Sequence, residues 1–233
     1  MLDVNFEHVC AVILAAGSGS RMNMGTPKQY LKVLGESVLR RSVRAFSMCD
    51  DIHSIVVVAK IDDIELVKEE LGDDFPKLSA IVPGGNIRAV SAKLGFEAIP
   101  QETRFVAIHD AARCLISPED ISRVVVAAKE YGAATAASPI TNTVKLIGEN
   151  GFITSTVPRS ELVSAETPQI FGVELYARAI SNSAELSDIT DDNMLVENIG
   201  AKIRCVEVSD NIKITTARDL DFAEFLLSRG GAR

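Results

Sequence analysis

The chain has 233 residues, with 24 Lys+Arg against 32 Asp+Glu, a formal net charge of −8 and 47% apolar residues. That length suits one large domain with a substantial core, and the acidic balance argues against nucleic acid or an anionic membrane surface as partner. The longest apolar run near the N-terminus, Val9 to Ala16, is far short of the ~20 residues of a spanning helix, and Asp3 and Glu7 stand where a signal peptide carries bases, so a cytoplasmic protein is expected.

The first element is an apolar strand over Cys10–Ala15, which breaks into Gly17-Ser18-Gly19-Ser20 and then delivers two cations, Arg21 and Lys28. Small residues let backbone N–H groups approach a ligand and form a concave anion site, and fixed positive charges beyond it suit a ligand with several phosphates. A dinucleotide fingerprint fails because Met22 stands at its third glycine, and a Walker loop fails at the same residue. An ordinary strand-to-helix turn stays open as an alternative. The second strand, Ser54–Ala59, ends in Lys60 where a dinucleotide fold would place an acid. A third strand over Leu78–Val82 leads to Gly84-Gly85, followed by Ile87, Val90 and Leu94 at helical spacing. A fourth over Phe105–His109 leads to Asp110. Pro118 then opens a helix marked by Ile121, Val124, Val125 and Ala128, and a fifth strand spans Ala133–Pro139. Residues 141–157 break the alternation: Asn142–Ile147 and Phe152–Val157 flank Gly148-Glu149-Asn150-Gly151, the pattern of a polar hairpin arm. Leu220, Ala223 and Leu227 mark a last helix.

Strands alternating with amphipathic helices predict an α/β fold, a Rossmann-like, mostly parallel sheet with helices on both faces, in a single domain over 1–233. Ligands of such sheets bind outside the carboxyl ends of the strands, where the Gly17 loop, Gly84-Gly85 and Asp110 converge. Asp110 is the candidate metal residue, since Mg²⁺ needs one or two carboxylates beside substrate phosphates; a helix N-cap is its alternative role. Cys10, Cys49, Cys114 and Cys205 are scattered, with neither zinc spacing nor a disulfide framework, and Cys10 and Cys205 are expected buried in strands. His8, His53 and His109 share no metal-ligand spacing.

In order, Leu14-Ala15-Ala16-Gly17-Ser18-Gly19-Ser20-Arg21-Met22 with Pro27-Lys28-Gln29, Gly84 to Ser91, His109-Asp110-Ala111-Ala112-Arg113, Arg159, Thr167-Pro168-Gln169, Thr190-Asp191-Asp192 and Asp210 to Thr215 resemble the 2-C-methyl-D-erythritol 4-phosphate cytidylyltransferase family of nucleotidyltransferases. The likeness runs from about residue 9 to 227. It implies transfer of CMP from CTP to 2-C-methyl-D-erythritol 4-phosphate, with pyrophosphate released and Mg²⁺ or another divalent cation at Asp110. Arg21, Lys28 and Lys213 would hold the phosphates. Ala15, Ala16, Gly17, Gly19, Gly84, Gly85, Asn86, Ser91 and Ala111 would hold the rest of CTP. Arg113, Thr143, Arg159 and Thr167 would meet the acceptor, with Asp210 orienting Lys213. It also implies a homodimer in which the arm, with Thr143 and Arg159, reaches the partner subunit; a hairpin folded on its own domain is the alternative. Where the family follows Asp-Ala-Ala-Arg with proline, this chain has Cys114, a change expected to loosen the turn that carries Arg113. A ribitol 5-phosphate cytidylyltransferase and a non-catalytic nucleotide-binding regulator are the competing readings.

Overall fold

The computed structural model describes residues 7–17 and 27–229. The chain runs through β1 (His8–Leu14), β2 (Lys32–Val33), β3 (Glu36–Ser37), α1 (Val38–Met48), β4 (Ser54–Ala59), α2 (Ile64–Leu71), β5 (Leu78–Pro83), α3 (Arg88–Glu97), β6 (Thr103–Asp110) and α4 (Pro118–Tyr131). It continues through β7 (Ala133–Pro139), β8 (Val144–Ile147), β9 (Ile153–Val157), β10 (Val163–Gly172), α5 (Val173–Asn182), α6 (Asp192–Glu197), β11 (Arg204–Glu207) and α7 (Ala217–Ser228). A seven-stranded sheet of order β11-β7-β10-β6-β1-β4-β5 forms the centre. β10 is antiparallel to both its neighbours, β6 and β7, and the other pairings are parallel.

The sheet is covered on both faces because its central strands are apolar on both. From β1, Val9, Ala11 and Ile13 pack with Leu39, Val43 and Phe46 of α1, Val67 and Leu71 of α2, and Ile121, Val124 and Val125 of α4. The alternate residues Cys10 and Val12 pack with Ala92 of α3, Tyr176 and Ala179 of α5, and Leu195 and Val196 of α6. Helix starts are fixed locally: Ser37 Oγ accepts from Arg40 N, and Ser117 Oγ accepts from Asp120 N with Pro118 next in line. Gly132 ends α4 in the left-handed conformation at φ 83°.

Because β1, β4, β5, β6, β7 and β11 run the same way, the loops after them gather at one edge of the sheet. β10 starts at that edge, with Val163 opposite Pro139. The excursion between β7 and β10 is the hairpin β8–β9, a two-stranded sheet of its own with Val144 opposite Val157. It is less polar than the sequence implied, since Leu146, Ile147, Phe152 and Ile153 are all more than half exposed. Cys10 is buried as expected. Cys205 is exposed, a correction that follows from its place on β11 at the margin of the sheet, where one side faces solvent. Among the described residues no helix is long and apolar enough to cross a membrane.

Candidate active site

A cleft of about 520 Å³ opens at the carboxyl edge. Each wall comes from the end of a strand: Ala15, Ala16 and Gly17 after β1, Lys60 after β4, Gly85 and Asn86 after β5, and Ala111 and Ala112 after Asp110 of β6. Ser91 and Arg88 enter from α3, Lys28 from the short helical turn Lys28–Tyr30, and Lys213 from the segment after β11. Of the residues expected here, Arg21 and Gly19 lie outside the described residues.

The glycine pair is required by space. A Cβ on Gly84 would sit 2.5 Å from Ala16 Cβ and 2.9 Å from Ser91 Oγ, and one on Gly85 would sit 2.2 Å from Val90 Cγ1. Gly84 therefore packs the loop after β5 against the loop after β1, whereas Gly85 faces the cleft. Ser91 Oγ accepts from Gly85 N at 3.1 Å and fixes the turn.

At the other end, charge is concentrated. Asp110 Oδ1 accepts from Arg88 Nε at 2.9 Å and Oδ2 from Lys213 Nζ at 2.5 Å, while Arg88 Nη1 donates to Asp192 Oδ2 at 2.6 Å. Burial works against a charge on Asp110, yet Arg88 and Lys213 outweigh it and hold the carboxyl well below the usual carboxylate range. The guanidinium of Arg88 also loses hydration, but Asp192 and Asp110 more than compensate and push it up. Asp110 is not a helix cap, because the following helix starts at Pro118 and is capped by Ser117. Lys28 Nζ donates to Ile214 O at 3.3 Å, so the two lysine-bearing segments are joined above the cleft.

Two of the expected residues have other partners than those expected of them. Lys213 is oriented by Asp110, not by Asp210, which is exposed with its backbone at φ 52°. Thr167 packs against Asp110. It is buried, its Oγ1 accepts from Asp110 N at 3.1 Å and meets His109 Nδ1 at 3.1 Å, so it props Asp110 from behind. Arg113 lies beside the cleft, where Nη1 donates to Asn211 O at 2.8 Å and sits 3.5 Å from Glu166 Oε2. Thr143 and Arg159 are at the base of the hairpin, both exposed, with Arg159 Nη1 donating to Thr141 O at 3.0 Å.

A divalent cation fits this donor set. Among the described residues no three His, Cys, Asp or Glu side chains come together, so there is no all-protein cage. One ionised carboxylate beside two lysines in a cleft is a donor set that suits Mg²⁺ shared with a phosphate ligand.

The family model of IspD, 2-C-methyl-D-erythritol 4-phosphate cytidylyltransferase, matches residues 9–229. The chain belongs to the IspD family. A 2-C-methyl-D-erythritol 4-phosphate cytidylyltransferase from Desulforamulus reducens is 38% identical over 226 residues, 95% of this chain and 97% of the relative. One from Pelotomaculum thermopropionicum is 40% identical over 227 residues, 95% of this chain and 94% of the relative. The solved 4-diphosphocytidyl-2C-methyl-D-erythritol synthase of Anaerococcus prevotii superposes with a TM-score of 0.87 at 29% identity, covering 97% of this chain and 98% of that one. The cytidylyltransferase of Thermus thermophilus gives 0.74 at 29% identity, covering 95% and 99%.

Within that IspD framework the Cys114 departure leaves the turn intact. Arg113 N donates to Asp110 O at 2.9 Å, Arg113 O lies 3.2 Å from His109 Nε2, and Cys114 is buried with Leu115, Val38 and Ile214. Its thiol is pushed up to about 12 by burial, so it is a packing group. Sequence reasoning left Arg88, Asp192, Gln29, Lys60 and Thr215 unassigned. Arg88 and Asp192 stand inside stretches that carried the IspD resemblance, and that was the available signal; their pairing joins residues 104 apart.

Proposed function

We propose that the chain transfers CMP from CTP to 2-C-methyl-D-erythritol 4-phosphate, giving CDP-methylerythritol and pyrophosphate in non-mevalonate isoprenoid synthesis. The observation that carries this reading is one cleft lined by Ala15, Ala16, Gly17 and Gly85 together with Lys28, Lys213 and Asp110. The base and ribose lie against Ala15, Ala16, Gly85, Asn86 and Ser91, with Gly84 keeping that wall thin. The triphosphate lies toward Lys28, Lys213 and Ala111; Arg21, which lies outside the described residues, is assigned the same role from the sequence.

An acceptor phosphate oxygen attacks the α-phosphorus. The new P–O bond forms as the bond from the α-phosphorus to the bridging oxygen breaks, and that oxygen leaves on pyrophosphate. The attacking oxygen is already ionised near neutral pH, so no general base is required. His109 fits a structural place: it is fully buried, and desolvation lowers it from 6.5 to about 3, keeping it neutral. Rate then comes from holding attacking and leaving oxygens in line and from stabilising charge on the phosphoryl oxygens. Lys213 is placed to pass from Asp110 to an α-phosphate oxygen. Lys28 holds the outgoing phosphates. Asp110 would carry the divalent cation, whose contribution is to neutralise charge on the phosphates and orient them.

The acceptor binds beside Arg113, and Thr143 and Arg159 of a second subunit close over it. Four large apolar side chains exposed on the hairpin support that homodimer, because a two-stranded ribbon is marginal alone. The enzyme works in the cytoplasm, beside its nucleotide. Pyrophosphate release is measured with four nucleoside triphosphates against a panel of polyol phosphates including ribitol 5-phosphate. CTP with methylerythritol phosphate gives the highest kcat/KM and chelator abolishes it; preference for ribitol 5-phosphate or full turnover with chelator refutes this reading.

A further inference from the structure

Behind Asp110 lies a second tier of polar groups with no direct part in the reaction just described. Asp192 is fully buried, and its two oxygens are used in opposite directions. Oδ2 accepts from Arg88 Nη1 at 2.6 Å, and Oδ1 accepts from the Tyr176 hydroxyl at 2.5 Å. Tyr176 is itself locked in the core, stacked on Phe171 with ring centroids 5.2 Å apart and edge-on to Phe96 at 5.0 Å. Asp192 also cannot shift along the chain. Gln169 Oε1 accepts from Asp192 N at 2.8 Å and Asn193 N at 3.2 Å, while its Nε2 donates to Asp191 Oδ2 at 2.8 Å. The same strand, β10, carries Thr167 against Asp110 N.

A buried ion pair is a poor device for stability alone, since an apolar replacement of similar volume commonly does as well. It is a good device for fixing direction. A guanidinium held by one carboxylate through Nη1 presents Nε to the other in a set orientation. Here that other carboxylate is Asp110, and Arg88 takes only its Oδ1. Oδ2 is left to Lys213, the ammonium that must let go when the nucleotide's phosphates arrive.

We infer that Asp192, seated by Tyr176 and Gln169, is a positioning residue for nucleotidyl transfer: through Arg88 it fixes the Asp110 carboxylate so that one oxygen stays anchored and the other is free to exchange partners. The pair sets the geometry of the transferring phosphoryl group, while the base and ribose are held by the glycine loop and by Ser91, one turn further along α3. This inference rests on the transfer reading above.

The test is a double-mutant cycle with kcat, KM for CTP and thermal unfolding measured for each protein, on whichever acceptor the wild type turns over. A wrong acceptor is thus detected in the wild type, and the variant ratios are read on the acceptor that works. Asp192→Asn keeps the shape and loses the charge; it lowers kcat by about tenfold or more, the scale of a sub-ångström misplacement, with KM for CTP within about threefold. In an Arg88→Gln background the same change adds little, because it acts through Arg88. Tyr176→Phe keeps the ring packing and gives a smaller loss of kcat in the same direction. It decides the matter if Asp192→Asn fails to fold. Losses that multiply in the double variant, or unfolding at lower temperature with kcat within about twofold of wild type, overturn the inference.

Discussion

Around Asp110, groups from α3, β10, α6 and the segment after β11 bind one another, whereas among the described residues the hairpin's side-chain hydrogen bonds stay local to it. Lys145 Nζ donates to Thr156 Oγ1 at 2.6 Å and Thr154 Oγ1 to Leu146 O at 3.2 Å, while Arg88, Asp110, Asp192 and Lys213 are drawn together across more than 100 residues of chain. The first region is preorganised by its own fold, so that on the proposed mechanism only Lys213 has to change partner when the nucleotide enters. The second region exposes apolar surface at the same edge of the sheet. On the proposed reading, the nucleotide end of the site is independent of assembly and the acceptor end depends on it.

The hardest break falls on the preorganised half. On the proposed reading Lys213→Ala removes a donor to the transferring phosphoryl group, and it is expected to lower kcat by about 10²–10³ with the fold retained, because Lys213 is outside the core. Lys28→Ala falls in the same range, checked by steady-state turnover beside circular dichroism.

The arm is tested by mixing two inactive variants, Lys28→Ala and Arg159→Ala. If arms cross between subunits, each mixed dimer has one site with both changes and one with neither, and so regains about half the wild-type activity per mixed dimer. No recovery after verified subunit exchange assigns Arg159 to its own subunit, and a monomer by light scattering removes the crossed arm.

Gly85→Ala sharpens the nucleotide end. Its Cβ would press on Val90 Cγ1 at 2.2 Å and push the loop into the cleft, raising KM for CTP about tenfold, or about 1.4 kcal/mol of binding. An unchanged KM places the base elsewhere.

The smallest effect is on stability against pH. Burial lowers His109 from 6.5 to about 3, so the folded chain refuses a proton that the unfolded chain takes up. This contribution is fully present above 6.5 and is lost as pH falls toward 3. Urea unfolding at about pH 7 and about pH 5.5 should show the wild type losing about 1 kcal/mol more than His109→Gln between the two. Equal losses mean that His109 titrates alike in the folded and unfolded chains.

The legible parts of the sequence were those where one local pattern sufficed. β4 and β7 start and end where their apolar runs do, at Ser54–Ala59 and Ala133–Pro139. The hairpin was marked by its glycine-bounded turn. β10 was not legible as a strand, because Glu166, Thr167 and Gln169 are buried polar residues and Pro168 interrupts them; they are polar because they brace Asp110 and α6. The cleft's glycine loops and Asp110 could be placed from strand ends alone. The partners of Asp110 could not, since Arg88 and Asp192 gain meaning only when α3 and α6 pack on the same face of the sheet.

The central claim is the direction of transfer, and isotope position reads it most directly. CTP labelled with ³²P at the α-phosphate or at the γ-phosphate is incubated with methylerythritol 4-phosphate and Mg²⁺, and the products are separated. The account predicts α-label in CDP-methylerythritol and γ-label in pyrophosphate. Retention of α-label in CTP or CDP, or γ-label passed to the polyol, would contradict it.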